Sequence, residues 1–85
     1  MSRFHFHTQD GRVCHDEDGT ELPSIHAARL EAIRISADML RMQEESFWET
    51  ETWQMTVTDE TGLVLFVIDV TAHMSPALRN VIRRR

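Results

Sequence analysis

Arg3-Phe4-His5-Phe6-His7 alternates polar and aromatic residues, the two-residue period of a half-buried strand. Phe4 and Phe6 take the core side of that strand and Arg3, His5 and His7 the other. Asp10-Gly11 is a hairpin-turn dipeptide, since Gly accepts positive φ, and residues 12–15 read as a short return strand with Val13 as its core contact. Pro23 biases Leu22 away from helical geometry, and Ser24 suits a helix N-cap. Over residues 25–42 the period changes to that of a helix. Steps of 100° bring Ile25, Ala28, Ala32, Ile35, Met39 and Leu40 into an arc of roughly 120°. Glu31, Arg34, Asp38 and Arg41 fall opposite and form two i,i+3 pairs, each contributing a few tenths of a kcal/mol.

Residues 43–52 form a polar, Glu-rich connection that contains Phe47 and Trp48. Alternation returns at Trp53-Gln54-Met55-Thr56-Val57-Thr58, with Trp53, Met55 and Val57 inward. Asp59-Glu60-Thr61-Gly62 is a turn. Residues 63–70 are almost wholly apolar and β-branched, which predicts a central strand buried on both sides, or one with a face that meets a partner. Ser75-Pro76 predicts an N-cap and first position of a short C-terminal helix, with Leu78, Val81 and Ile82 on one face. The pattern as a whole predicts an α+β, two-layer ββαββ fold, with one amphipathic helix on a four-stranded sheet. Residues 1–70 are expected to form the core domain, and residues 71–85 a C-terminal extension with an Arg-rich end.

Length and composition narrow the function more than they specify it. Eighty-five residues make one domain, and its elements leave little chain for a catalytic pocket; an enzyme is not expected. The single cysteine, Cys14, excludes an intrachain disulfide and a cysteine-cluster zinc site, and is expected as a small buried or semi-buried thiol. The first residues lack a basic region followed by an apolar one, and the longest apolar run is too short for a bilayer. A cytoplasmic protein without membrane attachment is therefore expected. The net charge is −5 and all nine cations are Arg. A globally acidic domain repels phosphate, except where Arg79, Arg83, Arg84 and Arg85 gather near the end; that cluster is where nucleic acid would be met.

Four segments together carry a resemblance. They are Arg3-Phe4-His5-Phe6-His7, Asp16-Glu17-Asp18-Gly19-Thr20-Glu21-Leu22-Pro23, Ala27-Ala28-Arg29, and Val57-Thr58-Asp59-Glu60-Thr61-Gly62 before an apolar strand. With these the chain resembles, over about residues 2–70, a family of short bacterial proteins known only as a domain of unknown function. The resemblance implies a ββαββ arrangement in a bacterial cytoplasm and supplies no activity or catalytic residues. In fold alone the chain is also similar to the antitoxin half of small toxin–antitoxin pairs. Those proteins usually carry Gly-Cys after Leu-Pro, where this chain has Ser24-Ile25.

Candidate chemistry is sparse. His5, His7 and His15 are the residues from which a Zn²⁺ site would be built. Strand alternation alone already places His5 and His7 on the solvent face, so no metal or other cofactor is expected. Asp16, Asp18 and Gly19 resemble the start of a calcium loop, but Thr20 and Glu21 stand where a third ligand and Gly are required, and a turn is the simpler reading. Leu30, Ile33 and Ala37 give the helix a second apolar flank, which implies another contact. The C-terminal segment, a symmetry mate or a loosely packed boundary would each account for it. The expected function is a non-enzymatic protein-interaction module, self-associating as a homodimer or binding another protein. A nucleic-acid-associated, antitoxin-like regulator using the terminal arginines and a metal-binding protein using the histidines are the alternatives.

Overall fold

The computed structural model describes residues 2–78. In chain order the elements are β1 (Ser2–Gln9), β2 (Val13–Cys14), β3 (Thr20–Leu22), α1 (Ile25–Met42), α2 (Phe47–Thr50), β4 (Thr52–Asp59) and β5 (Val64–Thr71). The strands form one antiparallel sheet ordered β2-β1-β4-β5, with β3 beside β2 on the same edge of β1. Both β3 and β4 run antiparallel to β1 and hence parallel to each other, and α1 is the crossover between them.

The expected two-layer α+β arrangement is present, with a fifth strand. The return strand after Gly11 breaks off at Cys14, and β1 is met again only at Thr20, where Phe4 pairs Thr20 and Ser2 pairs Leu22. Residues 15–19 bridge the two fragments. Because β2 is two residues long and lies at the edge, Val13 is 55% exposed rather than a core contact. Cys14 is likewise exposed, not buried.

Alternation in β1 and β4 acts as expected. Phe4, Phe6, Trp53, Met55 and Val57 are buried together with Ala28 and Ala32 of α1. The two alanines bring the helix backbone close to the sheet, and full burial of Trp53, Met55 and Val57 stabilises the fold by about 1.5–3 kcal/mol each. Trp53 Nε1 is buried without a hydrogen-bond partner. Ser36, a polar residue within the helix, is also buried; its hydroxyl donates to the Ala32 carbonyl at 2.7 Å and lies 3.9 Å from Met55 Sδ. Ile25, at the helix start, is half exposed rather than in the core. Ser24 is the N-cap and accepts from the Ala27 amide, and both i,i+3 pairs form, Glu31–Arg34 and Asp38–Arg41.

Two expectations change at the other end. The connection after α1 contains a short helix, α2, in which Phe47 packs against the core. The apolar segment 63–70 forms β5, which among the described residues pairs with β4 alone and is therefore an edge strand, not a central one. Apolarity reports burial without reporting position in a sheet. At the described end, Pro76, Ala77 and Leu78 are helical, and Ser75 Oγ accepts from the Leu78 amide. No helix among the described residues is long and apolar enough to cross a membrane.

Candidate functional site

The structure brings His5, His7 and His15 together. His5 and His7, on alternate positions of β1, stack with ring centroids 6.0 Å apart. His15, just past β2, meets His7 edge-on at 5.4 Å. They line an open groove of about 410 Å³ with Asp16, Glu17 and Thr58, closed at one side by the β4–β5 turn from Asp59 to Gly62.

What organises these rings is Asp16. Phe6 faces the gap between β2 and β3, and its amide donates to Asp16 Oδ2 at 3.1 Å. The other carboxylate oxygen accepts from the Gly19 amide at 3.1 Å. Gly19 has φ +70°, and a Cβ there would lie 2.9 Å from the Phe4 carbonyl oxygen and from side-chain atoms of Arg3 and His5. The turn reading of the acidic segment is thus the one the geometry bears out, since Asp16 is occupied by backbone amides.

The Asp16 backbone fixes two imidazole tautomers in opposite senses. Its carbonyl only accepts, so His5 Nδ1 donates to it at 2.8 Å. Its amide only donates, so His7 Nδ1 is the acceptor at 3.0 Å. The His7 ring proton then sits on Nε2 and donates to Thr58 Oγ1 at 3.2 Å. The pKa of His7 is lowered, first by removal of water from the ring and then by repulsion from His15 and His5, against the opposing pull of Asp16. Arg3 adds a third tie from the same strand face, donating to the Asp18 carbonyl and pairing with Glu21. These rings are hydrogen-bonding groups here: among the described residues no group of three or more His, Cys, Asp or Glu is placed to hold a metal ion.

Across the groove, Asp59 Oδ1 accepts from the amides of Thr61 and Leu63 and from the Thr61 hydroxyl. The hydroxyl bond is the main reason that the Asp59 carboxyl titrates below its ordinary value. Asp16, Gly19 and Thr58 were not singled out from the sequence as partners of the histidines. The signal for Asp16 and Gly19 was present, an Asp three residues before a Gly; Thr58 is set by sheet register, which leaves no local mark.

A second candidate surface is apolar. Leu30 and Ile33 on α1 are 49% and 59% exposed, and Ala37 is exposed too. Met39 lies near Val13 and Cys14 of β2, whereas Ser36 touches Met55 of β4. Turning the helix further from Met39 past Ser36 leads to Leu40, Ile33 and Ala37, on the β5 side of the layer. There Leu65, Phe66, Ile68 and Val70 of β5 are only partly covered by the core, while Val64 and Val67, paired with Thr58 and Thr56 on the sheet face away from α1, are 54% and 44% exposed. Leu78 is half exposed. Arg79, Val81, Ile82, Arg83, Arg84 and Arg85 lie outside the described residues. No curated protein and no solved structure matches this chain. The family model described as Domain of unknown function (DUF6894) matches residues 3–71, and the chain belongs to that family.

Proposed function

We propose that the protein is a non-enzymatic interaction module of the bacterial cytoplasm that acts as a homodimer, with the β5 edge and the adjoining flank of α1 as its contact surface. The observation that carries this reading is the β5 edge. It is eight residues long, pairs among the described residues with β4 alone, and bears Asp69 as its single charged residue. Apart from one irregularity at Leu65, opposite Val57 and Thr58, and from Asp69, the strand carries none of the lysines or prolines that blunt such edges, whose unpaired N–H and C=O groups recruit another strand. Partly covered Leu65, Phe66, Ile68 and Val70 on the inner face, with Ile33 and Leu30 beside them, supply apolar area beyond the backbone ladder.

A second copy fits this edge better than a parallel strand would. Two-fold symmetry pairs β5 with itself antiparallel. With the axis near Val67, the two Asp69 side chains fall on opposite sides of it instead of stacking, as they would in a parallel pair. The test is light scattering at ~50 μM, where a micromolar interface is largely filled. The expected mass is twice the 9.9 kDa of the chain. Val67→Lys, at an exposed position, is expected to give a monomer with an unchanged circular-dichroism spectrum. A wild-type monomer at that concentration would overturn the homodimer.

A further inference from the structure

We propose that His7 is a proton-operated latch that holds residues 15–19 against β1 when neutral and releases them when its Nδ1 takes a proton from solvent. The device is independent of the β5 surface and lies at the opposite edge of the sheet.

The argument rests on which way each hydrogen bond points. The Asp16 amide donates to His7 Nδ1 at 3.0 Å. A backbone N–H has no lone pair with which to accept. A proton added to His7 Nδ1 therefore sets two donors face to face, and that bond is lost, not weakened. His5, one pleat away, behaves in the opposite way. Its Nδ1 already donates to the Asp16 carbonyl, so protonation at Nε2 leaves that bond in place. His15 meets the His7 ring edge-on at 5.4 Å and acts on it as a neighbouring charge. One ring of the three is thus wired to break on protonation, and the other two make that proton harder to add.

The charges that face His7 come from every element around it. His5 lies on the same strand, His15, Asp16 and Glu17 on the bridging segment, and Asp59 and Glu60 on the β4–β5 turn, with the neutral Thr58 on β4. Loss of water and the two histidines lower its pKa, and Asp16 raises it, leaving the net shift downward. The sign follows. Between the lowered folded value and about 6.5, the unfolded chain binds the proton more readily than the folded one. The latch therefore contributes fully above about pH 6.5 and is lost as pH falls through the folded value.

Release has a defined structural consequence. The same Asp16 whose amide is held by His7 covers the Phe6 amide with its carboxylate at 3.1 Å, in the gap between β2 and β3. With the His7 bond gone, the segment is held by the His5, Arg3 and carboxylate bonds alone, so the cover over this stretch of β1 opens more often in acid.

Amide hydrogen exchange followed by ¹⁵N NMR tests this in the full chain from pH 7.5 to 5.0. Corrected for the intrinsic rate, protection of the Asp16 amide is expected to fall about tenfold, with the midpoint of the His7 ring signal. His7→Asn places a carbonyl oxygen near the Nδ1 position and cannot titrate; its Asp16 protection is expected to stay level with pH. Constant protection in the wild type, or an equal fall in His7→Asn, would overturn the latch. Should His7→Asn fail to fold, His15→Gln serves instead. It removes one repelling charge, so the Asp16 and His7 midpoints should both move to higher pH; a His7 midpoint that moves while Asp16 does not would sink the proposal.

Discussion

At one edge of the sheet β1 is flanked by two fragments, two and three residues long, with an irregular bridge between them. At the other edge β5 runs eight residues beside β4 with one bulge, between Val57 and Thr58. The first edge is polar and tied down side chain by side chain: Arg3 to Asp18, His5 and His7 to the Asp16 backbone, and Phe6 to the Asp16 carboxylate. The second is mostly apolar, with Val64 and Val67 facing outward and Asp69 accepting from Gln54 Nε2 at 2.6 Å. The difference teaches how differently the two edges of one sheet meet an incoming strand. Breaking an edge strand and covering the gap with side chains is a way to prevent pairing, and leaving a long, mostly apolar edge strand invites it.

The comparison breaks most severely at Gly19. At φ +70°, with a Cβ site 2.9 Å from the Phe4 carbonyl, Gly19 has neither the backbone freedom nor the space for a side chain. Gly19→Ala is expected to cost about 2–3 kcal/mol, from left-handed strain plus a backbone clash. That lowers the Tm of a domain this size by about 10–20 °C in a thermal melt. Gly62 is the control: it has φ +92° with nothing within 4 Å, so Gly62→Ala measures the strain alone. Equal losses in the two variants would show that the tight seat of Gly19 against β1 does not matter.

Asp16 comes next. Asp16→Ala removes the acceptor for two backbone amides, Phe6 and Gly19, one of them in the middle of the sheet edge. The expected loss is about 1–2 kcal/mol in urea denaturation, with faster exchange at the Phe6 amide. Asp16→Asn keeps one side-chain acceptor and should fall between the alanine variant and the wild type. An unaltered Phe6 exchange rate in Asp16→Ala would mean that the gap in the edge is sealed by something else.

How much of this was legible in the sequence differs between the two edges for the same physical reason. Alternation is a local signal, and it correctly placed Phe4 and Phe6 on one face of β1, His5 and His7 on the other, and Trp53, Met55 and Val57 in the core. Ser24 announced the start of α1 by its chemistry. The third strand left no such mark, because Thr20-Glu21-Leu22 pairs with β1 only after Asp16 and Gly19 have turned the chain back. Ser36 was hidden for a related reason, since its hydroxyl is satisfied by its own helix and the residue packs as a small core group. Residues 63–70 were legible as a strand but not as an edge. Side chains record which face is dry, whereas strand order depends on chain segments that lie far away. The histidine cluster was visible as three residues; its orientation was not, because it is set by a backbone amide and a backbone carbonyl that every residue possesses.

The smallest expected effect separates the two jobs a charge can do at an edge. Arg3 and Glu21 pair across β1 and β3 at 3.3 Å on an exposed surface. Exposed pairs of this kind contribute about 0–1 kcal/mol, so Glu21→Gln should change the denaturation midpoint hardly at all, by about 0.5 kcal/mol or less. Arg3 retains its bond to the Asp18 carbonyl in that variant, so the bridge stays seated. What the charges supply is an obstacle, since a strand arriving at this edge would have to strip water from both. If that is their role, Glu21→Gln leaves stability and oligomeric state as they were, while Arg3→Leu with Glu21→Leu leaves a folded protein that forms species larger than a dimer in light scattering. A double variant that keeps the wild-type mass would show that the broken geometry of β2 and β3 guards this edge without help from charge.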